Sequence, residues 1–219
     1  PRRAAQLLRL RADLRIELLR GNVETRLRRV MGSGTSGGAP AGEGRYDATL
    51  LAMAGLLRLG RTEHTEHPLD AELILPAACQ GALAIQCRAD DHVTLTRCLP
   101  LNDPTASTAA HAERQVVAAL SADCHAPMAV LAEPVAIDPA SVLRNADAHW
   151  FRLRVRVLSS DGKTCLDADE QVKTKDLRRL VRQVVKDLSG RGARRLLALS
   201  RGVPVSASPR PVDAAPAAS

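Results

Sequence analysis

Five arginines lie at the ends of predicted helices and strands, where side chains can converge on a ligand: Arg2, Arg3, Arg20, Arg26 and Arg58. In an open parallel α/β sheet, ligands bind beyond the carboxyl ends of the strands. An arginine there can hold a carboxylate through two hydrogen bonds, assisted by the N–H groups of a helix N-terminus. A single arginine is usually a solvated surface charge. The prediction of an anion site therefore rests on several of them together.

Cys124 lies in the short polar loop "SADCHAP", between a predicted helix and a predicted strand. A lone cysteine is more often a small buried apolar residue than a nucleophile. Asp123 would raise the pKa of its thiol, whereas a protonated His125 would lower it. From these residues alone, a reactive and an inert Cys124 both remain open.

The remaining cysteines and the histidines form no recognisable metal motif. No two cysteines have C-x-x-C spacing, and their odd number argues against a disulfide framework. We therefore predict reduced structural thiols and no metal site. The cysteines concerned are Cys79, Cys87, Cys98 and Cys165, and the scattered histidines are His64, His67, His92, His111 and His149.

The composition narrows the classes of partner. With 219 residues, 45% of them hydrophobic and only 1% aromatic, the core must be built from Leu, Val, Ile and Ala. The net charge of +7 favours an anionic partner: nucleic acid, an anionic membrane surface or a carboxylate-rich small molecule. The near absence of stacking aromatics argues against nucleic acid, which stays the rival explanation of the charge. No apolar run is long enough to span a bilayer.

Hydrophobic periodicity and turn residues predict helices and strands along most of the chain. Asn22 can cap the second helix, and the near-continuous apolar run "YDATLLAMAG" is typical of a strand buried on both faces. Strand, helix and strand in that order predict a parallel βαβ unit in the first half. The predicted helices cover 2–11, 23–31, 105–120 and 175–188, and the predicted strands cover 14–20, 46–55, 82–87 and 128–133.

The stretch 149–172 predicts a β-hairpin that turns at Asp161-Gly162. The Gly- and Ser-rich segment 32–44 predicts a flexible insertion, and the tail 200–219 is predicted to be disordered. We therefore predict an α/β fold, with a parallel-sheet region up to about residue 99 and a smaller α+β region from about residue 104. The hairpin alternates Trp150, Leu153, Val155 and Val157 with Arg152, Arg154 and Arg156.

Several stretches, read together and in order, resemble the hydroxymethylbilane synthase (porphobilinogen deaminase) family. The most specific are "LRGNVETRL" and "LPAACQGALAIQCRADD". The likeness runs from Arg2 to about Leu199, a C-terminal two-thirds of such an enzyme. The other stretches are "RRAAQL", "YDATLLAMAGLLRLG", "LNDPT" and "AERQVVAALSADCHAPMAV".

The resemblance implies an activity and a cofactor. These transferases of tetrapyrrole biosynthesis join four porphobilinogen molecules head to tail, with release of ammonia, on a dipyrromethane cofactor held through a thioether. It implies Cys124 as the cofactor cysteine and places the cofactor's carboxylates on Arg2, Arg3, Arg20, Arg26 and Arg58. It also implies Arg20, Arg26, Arg58 and Gln80 as substrate contacts. The expected partners are porphobilinogen and the growing polypyrrole, not nucleic acid or membrane, for a monomer in the cytoplasm or a plastid.

The family fold implies a division of the chain. Residues 1–75 would be a second-domain-like, periplasmic-binding-protein-like unit with a parallel sheet. Residues 76–99 would return to complete the first domain, and 104–199 would form a small α+β domain carrying the cofactor loop. The first-domain N-terminal part, which supplies the catalytic Asp, would be missing. No catalytic residue is therefore assigned, and this piece alone is expected to be inactive.

Two departures from the family pattern leave a second hypothesis open. Ala122-Asp123 replaces Gly-Gly before the cofactor cysteine, and Cys79 stands where the family has Gly. Glycine permits left-handed backbone that alanine adopts poorly, and the Asp123 carboxylate would repel an anionic cofactor. A degenerate homologue that binds tetrapyrrole precursors without converting them is thus the alternative to an enzyme.

Overall fold

The computed structural model describes residues 1–31, 46–64, 67–123, 125–135 and 150–200. The chain divides into two compact units. The larger comprises Pro1–Arg15 with Ala71–Ser219, and the smaller comprises Ile16–Asp70. The described helices are α1 Arg2–Leu10, α2 Val23–Met31, α3 Met53–Arg58, α4 His92–Cys98, α5 Pro104–Ala119, α6 Leu177–Gly190 and α7 Ala193–Ser200, with short 3₁₀ turns at Thr62–His64, Leu99–Leu101 and Thr174–Asp176.

The larger unit contains a three-stranded antiparallel sheet in the order β1-β2-β3. Its strands are β1 Met128–Pro134, β2 Trp150–Leu158 and β3 Cys165–Lys173. The predicted hairpin is confirmed: β2 pairs with β3, and Gly162 in the connecting turn has a left-handed φ of +73°. Phe151 rather than Trp150 shares the core face with Leu153, since alternate residues of a strand point to opposite faces.

Two predicted helices pack on the core face of this sheet. Helix α5 begins where Asp103 accepts a hydrogen bond from the Ala106 N–H at 2.8 Å, with Pro104 at its first position. Helix α6 buries one apolar stripe, as the 3.6-residue period requires. The core contains Ala112, Val116 and Leu120 from α5, Leu177, Leu180, Val181, Val184 and Leu188 from α6, and Leu153, Val155 and Val157 from β2. Helix α7 was not predicted, and it includes Ser200, which had been placed in the tail.

The opposite face of the sheet carries the arginines of β2. Carboxylates of the same chain neutralise their charges. Arg154 is buried between two carboxylates, with its Nη1 2.7 Å from Glu72 Oε1 and its Nη2 2.6 Å from Glu133 Oε1. Arg152 pairs with Asp169 and Glu72, and Arg156 pairs with Asp167 at 3.0 Å. These three cations therefore stabilise the sheet face and are not available to an anionic ligand.

The smaller unit has α2 and α3 as its helices. The predicted cap of α2 is confirmed, because Asn22 Oδ1 accepts a hydrogen bond from the Thr25 N–H at 2.9 Å. Arg61 Nε donates to Glu24 Oε1 at 2.8 Å, which ties the segment after α3 to the first turn of α2. Helix α3 lies partly where the sequence predicted a strand over 46–55.

The strands predicted over 14–20, 46–55 and 82–87 do not form in the part of the chain that the structure describes. No parallel sheet is therefore present among these residues, and that expectation needs correction. A strand needs a neighbour to pair its backbone groups, and a parallel strand needs cover on both faces. Instead, Leu83 and Ile85 are 81% and 59% exposed. What holds is the mixture of helices and strands and the α+β region after residue 104.

Three predictions fall on residues outside the described ranges: the flexible insertion 32–44, the cofactor cysteine Cys124 and the tail from 201 onwards. The domain boundaries proposed at 75, 99 and 199 stay predictions. Within the described ranges, no helix is both long enough and apolar enough to cross a membrane.

Candidate ligand-binding site

Arg2 and Gln80, two of the predicted ligand-binding residues, meet in the larger unit. Arg2 Nη2 donates a hydrogen bond to Gln80 Oε1 at 3.3 Å. The same amide oxygen accepts from the Ala77 N–H at 3.3 Å, so the Gln80 side chain also braces its own turn. Burial, and then the charge of Arg3, lower the pKa of the half-buried Arg2 guanidinium. Its Nε is buried and has no hydrogen-bond partner in the described structure, which leaves a donor for an anionic group.

Arg3 follows Arg2 on α1 in the larger unit, whereas the other three predicted arginines, Arg20, Arg26 and Arg58, lie in the smaller unit. Arg20 is exposed just before the Gly21-Asn22 turn, and Arg58 is exposed at the last residue of α3. Neither forms an ion pair with another described residue. Arg26 Nε donates to the Gly21 carbonyl at 2.9 Å. The sequence predicts Arg20 at the last position of one strand and Arg58 just past another, whereas the structure places both beside helix termini.

The turn that carries Gln80 includes Cys79, whose backbone is left-handed with φ +58°. This conformation suits glycine, the residue that the resemblance leads us to expect there. The Cys79 N–H donates to the Glu113 carboxylate, and its Sγ lies 3.6 Å from the Ala110 carbonyl oxygen of α5. Burial, together with the nearby Glu113 charge, raises the pKa of the Cys79 thiol. The thiol therefore stays protonated and packs on α5.

Sequence reasoning missed Glu113, a buried carboxylate that is only 4% exposed. Its second oxygen accepts a hydrogen bond from the Ala132 N–H of β1 at 2.7 Å. Burial raises the pKa of Glu113, while the two backbone N–H groups act in the opposite direction. The signal in the sequence was its spacing: Glu113 stands four residues after Ala109 and three before Val116, on the apolar face of α5.

The predicted cofactor cysteine, Cys124, lies outside the described residues, but the structure describes the residues that precede it. Ser121 N–H bonds to the Ala118 carbonyl and Ala122 N–H to the Val117 carbonyl, each at 3.1 Å. With Ser121 at φ +55°, this is a Schellman motif that ends α5. The left-handed residue is thus Ser121, and neither Ala122 nor Asp123 has a positive φ. The backbone strain expected at Ala122-Asp123 is absent.

Asp123 accepts two hydrogen bonds from the backbone of the residues that follow Cys124. Its Oδ1 accepts a hydrogen bond from the His125 N–H at 2.9 Å, and its carbonyl oxygen accepts from the Ala126 N–H at 3.1 Å. Aspartate commonly stabilises short turns through its side chain. The residue that departs from the family pattern therefore supports the loop locally.

Comparison with known proteins gives a consistent result. Residues 1–96 match the family model for "Porphobilinogen deaminase, dipyromethane cofactor binding domain". The curated porphobilinogen deaminase of Legionella pneumophila strain Lens is 33% identical over 196 residues, which is 90% of this chain and 56% of that protein. That of Thermobifida fusca strain YX is 37% identical over 206 residues, covering 90% of this chain and 58% of the relative.

A third relative, the porphobilinogen deaminase of Sphingopyxis alaskensis, is 47% identical over 137 residues, which is 61% of this chain and 38% of that protein. The chain thus spans just over half the length of the first two relatives. All three are bacterial and give no support to a plastid location. Arg2, selected by its chemistry, and Gln80, selected by the resemblance, both lie within the matched range 1–96. Residues 1–96 are thus similar to the cofactor-binding domain of porphobilinogen deaminases, and 90% of the chain is similar to curated proteins of that name.

Proposed function

We propose that this chain contributes to a hydroxymethylbilane synthase, which condenses four porphobilinogen molecules head to tail and releases ammonia. The observation that carries the proposal is the Arg2–Gln80 pair, with an unused buried donor on Arg2, inside the range matched by the family model. Each porphobilinogen ring bears an acetate and a propionate. A guanidinium binds such carboxylates through charge-assisted hydrogen bonds, so a polypyrrole chain needs several fixed arginines.

The residues of this chain fit a dipyrromethane cofactor by their chemistry. Arg2 keeps a free Nε, while Arg20 and Arg58 are exposed cations without ion-pair partners among the described residues. We propose these three, with Arg3 and Arg26, as the groups that hold the cofactor's carboxylates, and Cys124 as the residue that bonds to it through a thioether. When bound, dipyrromethane supplies the pyrrole carbon to which the first substrate is joined.

Gln80 is proposed to orient the substrate beside Arg2, and Arg20, Arg26 and Arg58 to bind its carboxylates. The Gln80 amide oxygen already accepts from Arg2, so its N–H₂ group is left to donate to a substrate carboxylate. Holding a ring in one orientation lowers the entropy cost of condensation. No residue of this sequence is assigned the proton transfers.

The domain arrangement is part of the proposal. Residues 1–75 would belong to a second-domain-like α/β unit, 76–99 would complete another domain, and 104–199 would carry the cofactor loop. The exposure of Leu83 and Ile85, at 81% and 59%, supports this, because alternate apolar residues are typical of a strand that packs on a sheet. We also propose a monomer that binds neither nucleic acid nor membrane.

Intact and peptide mass spectrometry of the full-length protein, after incubation with porphobilinogen, tests this function. We expect an adduct of dipyrromethane mass on the peptide that contains Cys124, and its loss in Cys124→Ser. Cys98→Ser is the matched control and should keep the adduct. A folded protein whose Cys124 stays unmodified would refute the enzyme and favour the non-catalytic homologue.

A further inference from the structure

We propose that Glu113 is a positioning residue for the ligand site, because it fixes the turn that carries Gln80 to α5 and β1. The inference rests on the proposed function in so far as Gln80 and Arg2 contact the ligand. Glu113 itself does not touch either side chain. Its effect passes through the backbone of Cys79, the residue before Gln80.

The geometry gives Glu113 two separate backbone partners. One carboxylate oxygen accepts the Cys79 N–H, and the other accepts the Ala132 N–H at 2.7 Å. These donors lie 34 and 19 residues away from Glu113 in sequence. At 4% exposure, the carboxylate is shielded from water that could replace either donor. Glu113 therefore joins three segments that are distant in sequence.

The conformation of Cys79 depends on this contact. A non-glycine residue at φ +58° occupies a sparsely populated region, which persists only where the surroundings fix it. The Glu113 carboxylate binds that residue's N–H directly, and Ala78 packs on the same core. The next residue, Gln80, then presents Oε1 to Arg2 Nη2 at 3.3 Å. Release of the Cys79 N–H would change the position of Gln80 relative to Arg2.

An ionised carboxylate is suited to this role and an amide is not. Both oxygens of a carboxylate accept hydrogen bonds, whereas a glutamine offers one oxygen and one N–H₂ donor. In Glu113→Gln, one of the two backbone N–H groups would face another donor. The matched control is Glu133→Gln, which removes a carboxylate from β1 whose partner, Arg154, lies on the opposite sheet face.

The test uses the full chain, labelled with nitrogen-15, in wild-type, Glu113→Gln and Glu133→Gln forms. Amide hydrogen exchange at Cys79 and Ala132, and the side-chain amide signals of Gln80, are followed by NMR with and without porphobilinogen. A hydrogen bond to a charged group contributes enough that we expect exchange at Cys79 or Ala132 to accelerate about 10- to 100-fold in Glu113→Gln. We also expect the Gln80 signals to shift, and Glu133→Gln to leave both unchanged.

Unchanged Cys79 and Ala132 exchange and unchanged Gln80 signals in folded Glu113→Gln would overturn the inference, as would equal changes in Glu133→Gln. If the Gln80 side-chain signals of the wild-type chain do not change when porphobilinogen is added, the proposal that Gln80 and Arg2 bind the ligand is refuted instead. If Glu113→Gln does not fold, Cys79→Gly is added, since glycine adopts a left-handed backbone readily. The double variant is then compared with Cys79→Gly alone, and the same shift at Gln80 is expected.

Discussion

Replacing Gln6 with leucine should destabilise the larger unit by about 3 kcal/mol. The Gln6 side chain is 1% exposed. Its amide forms two hydrogen bonds with the backbone of Leu75, as a neighbouring strand would. Nε2 donates to the Leu75 carbonyl at 3.0 Å, and Oε1 accepts from the Leu75 N–H at 2.9 Å. Gln6 lies on the same helix as Arg2, and Leu75 precedes the turn of Gln80. This one side chain therefore connects the two parts of the candidate site.

The magnitude follows from the groups left without partners. In Gln6→Leu, the buried N–H and carbonyl of Leu75 both lose a hydrogen bond, and each unsatisfied group costs about 1–3 kcal/mol. The added apolar surface returns about 1–2 kcal/mol. The net expectation is a loss of about 3 kcal/mol in the free energy of unfolding.

Urea denaturation followed by circular dichroism measures this loss. Gln183→Leu is the matched control, because Gln183 is exposed on α6 and surface substitutions usually change stability by less than about 0.5 kcal/mol. A loss below about 1 kcal/mol in Gln6→Leu would show that the Leu75 backbone finds other partners. The bracing role of Gln6 would then be refuted.

Two further predictions concern the hairpin. Gly162→Ala should cost about 3 kcal/mol, because a Cβ there would meet the Ala5 carbonyl oxygen at 2.5 Å and φ is +73°. Gly192→Ala is the control: no atom lies within 4 Å of a Cβ at that position, so the free energy of unfolding should fall by only about 1 kcal/mol in the same urea assay. Equal losses in the two variants would contradict the clash at Gly162. Burial and the Asp167 carboxylate, 3.1 Å from Sγ, raise the pKa of the Cys165 thiol to about 11. At pH about 8, the fraction of Cys165 present as thiolate is therefore about 100-fold lower than for a thiol of pKa 9.0. Asp167→Asn should speed its alkylation by iodoacetamide, measured by peptide mass spectrometry, and an unchanged rate would count against the carboxylate's influence.

The elements predicted correctly from the sequence are those whose signals are local. Helix α2 has Asn22 at its start, and the hairpin has strict alternation and an Asp-Gly turn, so both could be recognised within about a dozen residues. The strand expected over 82–87 is predicted from an equally local signal, a short run of mostly apolar residues. It does not form because its pairing depends on a neighbouring strand that the described residues do not supply.

The candidate site shows the same division. Arg2 could be selected by its chemistry and Gln80 by the resemblance, and the structure brings these two together. The left-handed residue was expected at Ala122-Asp123, yet it is Ser121, one residue earlier, just beyond the end of α5. Glu113 could not be assigned, because its two partners become neighbours only when α5 packs on β1. Tertiary contacts of this kind leave little trace in a single sequence.

The contacts along β1 also bear on self-association. A sheet with a bare outer strand offers unpaired N–H groups to another chain and is prone to aggregate through them. Here the Val130 N–H bonds to the Pro76 carbonyl at 3.2 Å, and the Ala132 N–H bonds to Glu113. The outer strand on the other side, β3, carries the charged residues Asp167, Asp169, Glu170 and Lys173. Both edge strands of the sheet are thus protected from pairing with another chain. The segment that presents Gln80 therefore also covers an edge strand that could otherwise aggregate.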